Sequence, residues 1–437
     1  MPNYVTITIY LHFEVTLLQQ FDKKSISINI KNVTMFMVFV IISAAVLRFI
    51  VGVSHINTYD TFWYKRWALD LPNGIFDVYA RADSISLDYP PVYLFFLYLT
   101  GLGYKVIGTD PHIYTQMFLM KFWPIVFDVL CVAFLYYMFR KTDIKAGVCA
   151  AVLWAVNPSV FFNSTMWGQT DSVMMFLLLV TFYFTYKNRP IAACVVFAIA
   201  GMTKYQCLYF TPILLLQIYK DSGLKSLLKS VGAAAISVAI VFLPFMIGSK
   251  NPLLFFDVYL GGADKYPYCT LNAFNVYGMF CLNWVEDTFA GCNVLSVVFT
   301  VMSVALIIGL YLFGKRRCAF VGGLLFMQCI FMLTTRMHER YQIVVLPFAL
   351  VAYFLYKIKD FLYLFISLSI ITAINQSIVL MRVAHSDYFE SGYGAIMMIV
   401  SIINFIVFAY SVYVCCKFFL TGEKKEENKN DLLKKEA

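Results

Sequence analysis

The chain has 437 residues, 61% of them hydrophobic and 14% charged, and carries a formal net charge of +9. Ordinary soluble domains have about 45–50% apolar and about 25% charged residues, so this composition excludes a water-soluble globular protein and leaves a polytopic membrane protein. The basic residues gather at the ends of apolar runs, where they set topology, so the charge gives no argument for a nucleic-acid partner.

Residues 1–32 are mixed in polarity, with Lys23, Lys24 and Lys31 ahead of the first apolar run at 33–53. That run reads as an uncleaved spanning anchor rather than a signal peptide. A polar island follows at 54–91, with five aspartates (Asp60, Asp70, Asp77, Asp83 and Asp88) in a chain otherwise poor in carboxylates. Further apolar runs occupy 92–107, 118–139, 147–162, 172–186, 190–203, 207–219, 231–247, 293–313, 319–334, 341–356, 361–380 and 394–416. A spanning helix needs roughly 20 apolar residues, and backbone in lipid must pair within its own helix. The expected fold is therefore all-α, one polytopic bundle of transmembrane helices.

Charge sign tests the number of crossings. Basic clusters lie at Arg140-Lys141 with Lys145, at Lys187 and Arg189, and at Lys220, Lys225 and Lys229. They recur at Lys315-Arg316-Arg317, at Lys357 and Lys359, and at Lys417. If the N-terminus is inside and every run crosses, most clusters fall outside, against the positive-inside tendency. If 92–107 does not cross, all fall inside. That run is short and opens at Pro90-Pro91, so it reads as a re-entrant or surface-lying helix belonging to the island. The result is about 12 spanning helices, a cytosolic segment 1–32, a membrane domain 33–416 with outer loops at 54–117 and 249–292, and a cytosolic charged tail 417–437. The chain ends Lys434-Lys435-Glu436-Ala437; a terminal Lys-Lys pair of this kind fits retrieval to the endoplasmic reticulum in a eukaryote, and a prokaryotic cell membrane is the other location considered.

This parity brings five separated stretches to the outer face: the island, 163–171, 203–205, 249–292 and 335–341. Asp60 sits among Tyr59, Phe62, Trp63 and Tyr64 and is read either as a solvated loop aspartate or as a carboxylate that these surroundings raise toward the range useful to a general base. Asp88 precedes Tyr89-Pro90-Pro91 and is read either as a helix cap or as a substrate contact. Trp167-Gly168-Gln169-Thr170-Asp171-Ser172 offers a second carboxylate, capping the next helix, orienting an acceptor hydroxyl or binding a metal with Asp60, although no Asp-x-Asp or His cluster stands beside it. Lys204 interrupts an apolar stretch, and lysine at membrane depth is a functional candidate. Arg336-Met337-His338-Glu339-Arg340-Tyr341 is the densest ionisable cluster; its arginine forks suit phosphate oxygens, and no second His stands at zinc spacing. Asn272 and Asn275, in an aromatic loop, suit sugar hydroxyls. Cys269, Cys281 and Cys292 share that loop and could pair. These groups together fit glycosyl transfer from a lipid-phosphate donor: a base for the acceptor hydroxyl and cations for the leaving phosphate.

The ordered set Asp60, Trp67, Leu87-Asp88-Tyr89-Pro90-Pro91, Asn157-Pro158, Trp167 to Ser172, Lys204-Tyr205-Gln206, Asn272-Ala273-Phe274-Asn275 and Met337-His338-Glu339-Arg340-Tyr341 resembles the GT-C glycosyltransferases. It is similar to the dolichyl-phosphate-glucose glucosyltransferases, and closer to prokaryotic proteins resembling the second GPI mannosyltransferase. The resemblance implies a GT-C bundle with surface-lying helices in its first outer loop. It implies Asp60 as catalytic base, and Lys204, His338 and Arg340, with Arg336 beside them, as donor-phosphate ligands. Asp88, Tyr89, Trp167, Gln169, Asp171, Asn272 and Asn275 are the expected acceptor or sugar contacts. No metal and no cofactor is expected. The expected partners are a lipid-phosphate-linked mannose or glucose donor, a lipid- or protein-linked acceptor glycan, and membrane lipids. Where this chain has Arg340 the glucosyltransferases typically have Lys, which leaves the sugar open. The competing reading is a transporter or flippase of lipid-linked sugars, which predicts charges at the bilayer midplane rather than on one face.

Overall fold

In a computed structural model the described residues are 30–56, 59–263, 266–384 and 394–421. The expected cytosolic segment 1–32 lies almost wholly outside them, as do Lys434 and Lys435. The α-helices of ten residues or more are, in chain order, α1 (Ile30–Ser54), α2 (Tyr59–Asp70), α3 (Pro91–Ile107), α4 (Ile113–Phe139), α5 (Ile144–Ala155), α6 (Asp171–Tyr186) and α7 (Pro190–Gly201). They continue with α8 (Thr211–Gly248), α9 (Leu254–Ala263), α10 (Cys292–Phe313), α11 (Ala319–Leu333), α12 (Leu346–Tyr356), α13 (Lys359–Ala384) and α14 (Gly394–Leu420). Among the described residues there are no β-strands, only isolated bridges within 268–286 and from there to His338. The chain divides into two compact units at Ser43 and Ala44; the first holds the beginning of α1, and all that follows concerns the second.

Among the described residues six helical stretches are long and apolar enough to cross a membrane, seven if the bent pair Ile144–Ala155 and Pro158–Trp167 forms one span. The protein is thus an integral multi-pass membrane protein. Five shorter apolar helices, α3, α6, α7, α11 and a stretch ending in α12, have 10–17 residues. The expected count of about 12 is reached only by taking shorter helices as spans and by dividing α8 at Gly223, where φ is 75°.

The polar island folds as a small apolar core. Tyr64, Trp67 and Ala68 of α2 and Leu71 just beyond it pack with Val78, Ile85 and with Tyr93, Leu94 and Leu97 of α3. Phe242 and Phe245 of α8 join the same cluster. Trp67 Nε1 donates to the Ile85 carbonyl at 2.9 Å. A Cβ on Gly101 would stand 2.0 Å from the Ala68 carbonyl oxygen, so α3 lies on α2 at a spacing only glycine allows. The apolar run 92–107 is therefore bound into the island, as expected. Two of the five aspartates are consumed here: Asp70 and Asp77 both pair with Arg81, at 2.9 and 2.8 Å.

Candidate active site

The 158–171 segment builds the first wall. Asn157 caps the turn at Pro158, its Oδ1 accepting from the Ser159 and Val160 amides at 3.0 and 3.3 Å. The chain then widens into a π-helical turn, Phe162–Trp167, a local underwinding that recurs at functional sites. Gly168 closes it with φ of 81°, and a Cβ there would lie 2.9 Å from Lys121 Cγ. This turn aims two side chains at α2. Trp167 Nε1 and Gln169 Nε2 both donate to Asp60 Oδ2, at 2.5 and 2.7 Å. Gln169 Oε1 in turn accepts from the Tyr64 hydroxyl at 3.2 Å, which meets the Tyr89 hydroxyl at 3.0 Å.

Asp60 sits in the first turn of α2. Burial raises its pKa above the usual carboxylate range, partly opposed by Arg340, the Trp167 bond and His338. Asp60 is thus a carboxylate of increased basicity, fixed in place by neutral donors.

The second wall carries the cations. Lys204 follows α7 and forms an ion pair with Asp171, whose other oxygen accepts from Asn163 Nδ2 at 2.9 Å. Arg340 Nη1 bonds Glu339 Oε1 at 2.5 Å, and its guanidinium lies 5.6 Å from the Trp167 ring centroid. The 334–341 loop is held by main-chain bonds from Leu271 N to the Met337 carbonyl and from Arg336 N to the Tyr268 carbonyl, each 2.9 Å. Burial lowers the His338 pKa, with Arg340 adding to it, so the ring is neutral at neutral pH. Burial acts to raise Glu339, but its net direction is down, because Arg340 and His338 stand beside it. Each cation therefore arrives already matched with a buried carboxylate.

Asp60, Asp88, Tyr89, Lys204, His338 and Arg340 line one cavity of about 290 Å³, closed by Trp63, Tyr64, Trp67 and Trp284. Residues from α2, from the α7 exit and from the 334–341 loop, far apart in sequence, meet there. Beside it lies a second cavity of about 400 Å³; Tyr205, Gln206, Tyr266, His338 and Tyr341 line both.

The other expected site residues fall elsewhere. Arg336 lines the second cavity, paired with Asp287 at 2.7 Å, and not the cavity of Asp60. Trp167 and Gln169 hold Asp60 in place. Asp171 is fully buried behind Lys204. Asn272 and Asn275 line neither cavity: Asn272 Oδ1 accepts from Asn283 Nδ2 at 2.8 Å and from Trp284 Nε1 at 3.1 Å. Asn275 caps a short helix, accepting from the Tyr277 and Gly278 amides at 3.1 and 3.3 Å. The carbonyl oxygens of both asparagines are thus engaged within the protein, while Asn272 Nδ2 is buried without a hydrogen-bond partner. Cys269, Cys281 and Cys292 are free thiols. Among the described residues no three His, Cys, Asp or Glu side chains form a metal-ligand group.

Sequence reasoning gave no role of their own to Glu339 and Gln206, though both stand in its motifs, and passed over Lys121. Glu339 could have been found from its place between His338 and Arg340, since buried cations call for a partner. Lys121 carried the signal used for Lys204, a lysine within an apolar helix.

Residues 83–220 match the family model described as alpha-(1->6)-mannopyranosyltransferase, N-terminal domain. The match supports a GT-C polytopic glycosyltransferase. It covers α3 through α7 and takes in Asp88, Trp167, Gln169, Asp171 and Lys204, but ends before the 334–341 loop. No curated protein matches the chain in sequence. Among solved structures the chain is similar to ArnT from Cupriavidus metallidurans, in a crystal structure of that protein bound to undecaprenyl phosphate, with a TM-score of 0.48 and 12% identity. That likeness covers 88% of this chain and 78% of ArnT.

Proposed function

We propose that this protein transfers a hexose, mannose by preference over glucose, from a polyprenyl- or dolichyl-phosphate donor to an acceptor hydroxyl on the extracytoplasmic or lumenal face. One observation carries the reading: a half-buried carboxylate of raised basicity shares a cavity with Lys204, His338 and Arg340. The mannosyltransferase match favours mannose.

In this reading the acceptor O–H gives its proton to Asp60. Both bonds from Trp167 and Gln169 fall on Oδ2, so Oδ1 is the oxygen that takes the proton. The acceptor oxygen bonds to C1 of the sugar as the C1–O bond to phosphate breaks. The electron pair leaves on the lipid phosphate, beside Lys204 and Arg340. Attack and departure on opposite faces of C1 invert its configuration. A phosphate competes with Asp171 and Glu339 for the two cations, so the cations exchange a carboxylate for the donor rather than waiting bare in a dry cavity, where an unmatched charge is costly. His338, neutral, supplies a directional donor.

The test uses purified full-length protein in lipid nanodiscs with radiolabelled polyprenyl-phosphate mannose or glucose and a panel of mannosides. The expected outcome is a labelled glycan of opposite anomeric configuration, with stoichiometric polyprenyl phosphate and mannose preferred. A product that retains configuration would remove Asp60 as a direct base. Movement of intact lipid-linked sugar across vesicles without any transfer would establish the flippase reading instead.

A further inference from the structure

The cavity of about 400 Å³ next to that of Asp60 has no role in the chemistry above. Its size is within the ~300–1,000 Å³ typical of small-molecule sites. One wall is α10, where Asn293, Ser296 and Thr300 line it at spacings of three and four residues, one face of a helix. That polar stripe lies on a helix that otherwise exposes Val294, Val301 and Met302 to the surroundings, each about 60% exposed. The facing wall is tyrosine-rich and includes Tyr209 and Tyr259.

Its charge balance is unusual for a phosphate site. Arg336 is matched by Asp287 at 2.7 Å, and His338 is neutral. A phosphate would find no surplus positive charge here. Hydroxyls would find partners. Gln206, only 6% exposed, gives its amide nitrogen to the Tyr341 hydroxyl at 2.7 Å. Its Oε1 is buried with no hydrogen-bond partner. Leaving a buried acceptor unmatched costs about 1–3 kcal/mol, and a ligand O–H at the junction of the two cavities would remove that cost. An uncharged, hydroxyl-rich, ring-faced ligand fits a wall of phenols, hydroxyls and amides; a polyprenyl chain does not fit the Asn293, Ser296 and Thr300 stripe.

We infer that this cavity seats the acceptor, and that the part of the acceptor held there is an uncharged saccharide rather than a lipid phosphate. The inference rests on the transferase reading for the word acceptor, but not for the saccharide site itself. Gln206, at the junction, orients the accepting sugar toward Asp60.

The experiment pairs binding with kinetics, on full-length protein in nanodiscs. Saturation-transfer NMR measures binding of methyl α-mannoside, with inorganic phosphate as the charged probe. Steady-state kinetics separates acceptor KM from donor KM. Thr300→Phe fills the cavity, and Tyr209→Phe removes one hydroxyl without changing its shape. Thr300→Phe is expected to weaken methyl α-mannoside binding and to raise acceptor KM at least tenfold, with donor KM moving less than threefold. Tyr209→Phe is expected to move both acceptor quantities several-fold in the same direction. A rise confined to donor KM, or phosphate binding that depends on Thr300, would overturn the inference and assign the cavity to the donor. Intact transfer with an unchanged acceptor KM in both variants would overturn it while leaving the transferase reading in place. Saccharide binding that depends on Thr300, in a protein with no transferase activity, would keep the site and remove the transferase reading.

Discussion

Two lysines, both in apolar stretches and both buried, divide the molecule into scaffold and site. Lys121, in the middle of α4, donates to three main-chain carbonyls, those of Gly52, His55 and Met166, at 3.0, 2.6 and 2.7 Å. These belong to the chain leading into α2 and to the turn that presents Trp167. Its three donors are thus fully used, and it borders neither cavity. Lys204 pairs instead with one carboxylate, stands 5.8 Å from the Tyr341 ring centroid and lines the cavity of Asp60. The Arg48–Asp128 pair repeats the first pattern. Both residues are wholly buried at 2.7 Å, with Ser164 on the same Asp128 oxygen and Trp154 on the other. A charge that has satisfied every donor inside the protein holds structure; a charge with one exchangeable partner and a cavity beside it is able to bind.

The sharpest way to break this division is at the base. Asp60→Asn is expected to lower transfer by about 10²–10⁴-fold with little loss of thermal stability, read by the labelled-product assay and by thermal unfolding in detergent. Full transfer by that variant would remove Asp60 from the chemistry.

Next come the lysines themselves. Lys204→Gln strands the buried Asp171 and is expected to cost about 3–5 kcal/mol in stability and to raise donor KM. The double variant Lys204→Gln with Asp171→Asn is expected to recover most of the stability but not the donor affinity. Recovery of both would make Lys204 a scaffold residue. Lys121→Met leaves three carbonyls without their donor and is expected to lose on the order of 3 kcal/mol, seen in thermal unfolding, with donor KM near wild type among molecules that remain folded. A donor KM rise matching that of Lys204→Gln would erase the distinction between the two lysines.

A smaller effect reports the pH behaviour. With Asp60 as the proposed base, activity is expected to fall on the acid side of the Asp60 pKa, which burial places above the ordinary carboxylate value. The Trp167 bond favours the ionised form and so works against that rise. Trp167→Phe removes it, protonates more Asp60 at any given pH, and is expected to move the acid limb of the pH–rate profile to higher pH. A limb that stays in place would mean that the titrating group is not Asp60.

The smallest effect is at Asn272. Asn272→Ala is expected to cost about 1 kcal/mol of stability and to leave acceptor KM unchanged, since its carbonyl oxygen is bound to Asn283 and Trp284. A tenfold rise in acceptor KM would restore it as a sugar contact.

Much of the architecture was legible because the physics that sets it is local. Long apolar runs must become helices in lipid, and Pro90-Pro91 with a short run marked α3 as part of the island. Asp60, Lys204, His338 and Arg340 were legible as polar residues that apolar neighbours make costly. What sequence reasoning could not resolve was division of labour within one residue type. Of the five island aspartates, Asp70 and Asp77 serve Arg81, Asp60 meets Trp167 and Gln169, and Asp88 lines the cavity wall. Arg336 and Arg340 stand four residues apart, yet line different cavities. Asn272 and Asn275 resemble sugar ligands in composition, yet line neither cavity.

The sequence by itself determined an all-helical membrane protein with its chemistry gathered in a few polar stretches, because burial in lipid is decided residue by residue along each helix. Only the tertiary structure decided which partner each polar group meets. Asp60 and Gln169 are more than a hundred positions apart, and Gln206 and Tyr341 further still, so the pairing that turns a cost into a site depends on how the helices pack.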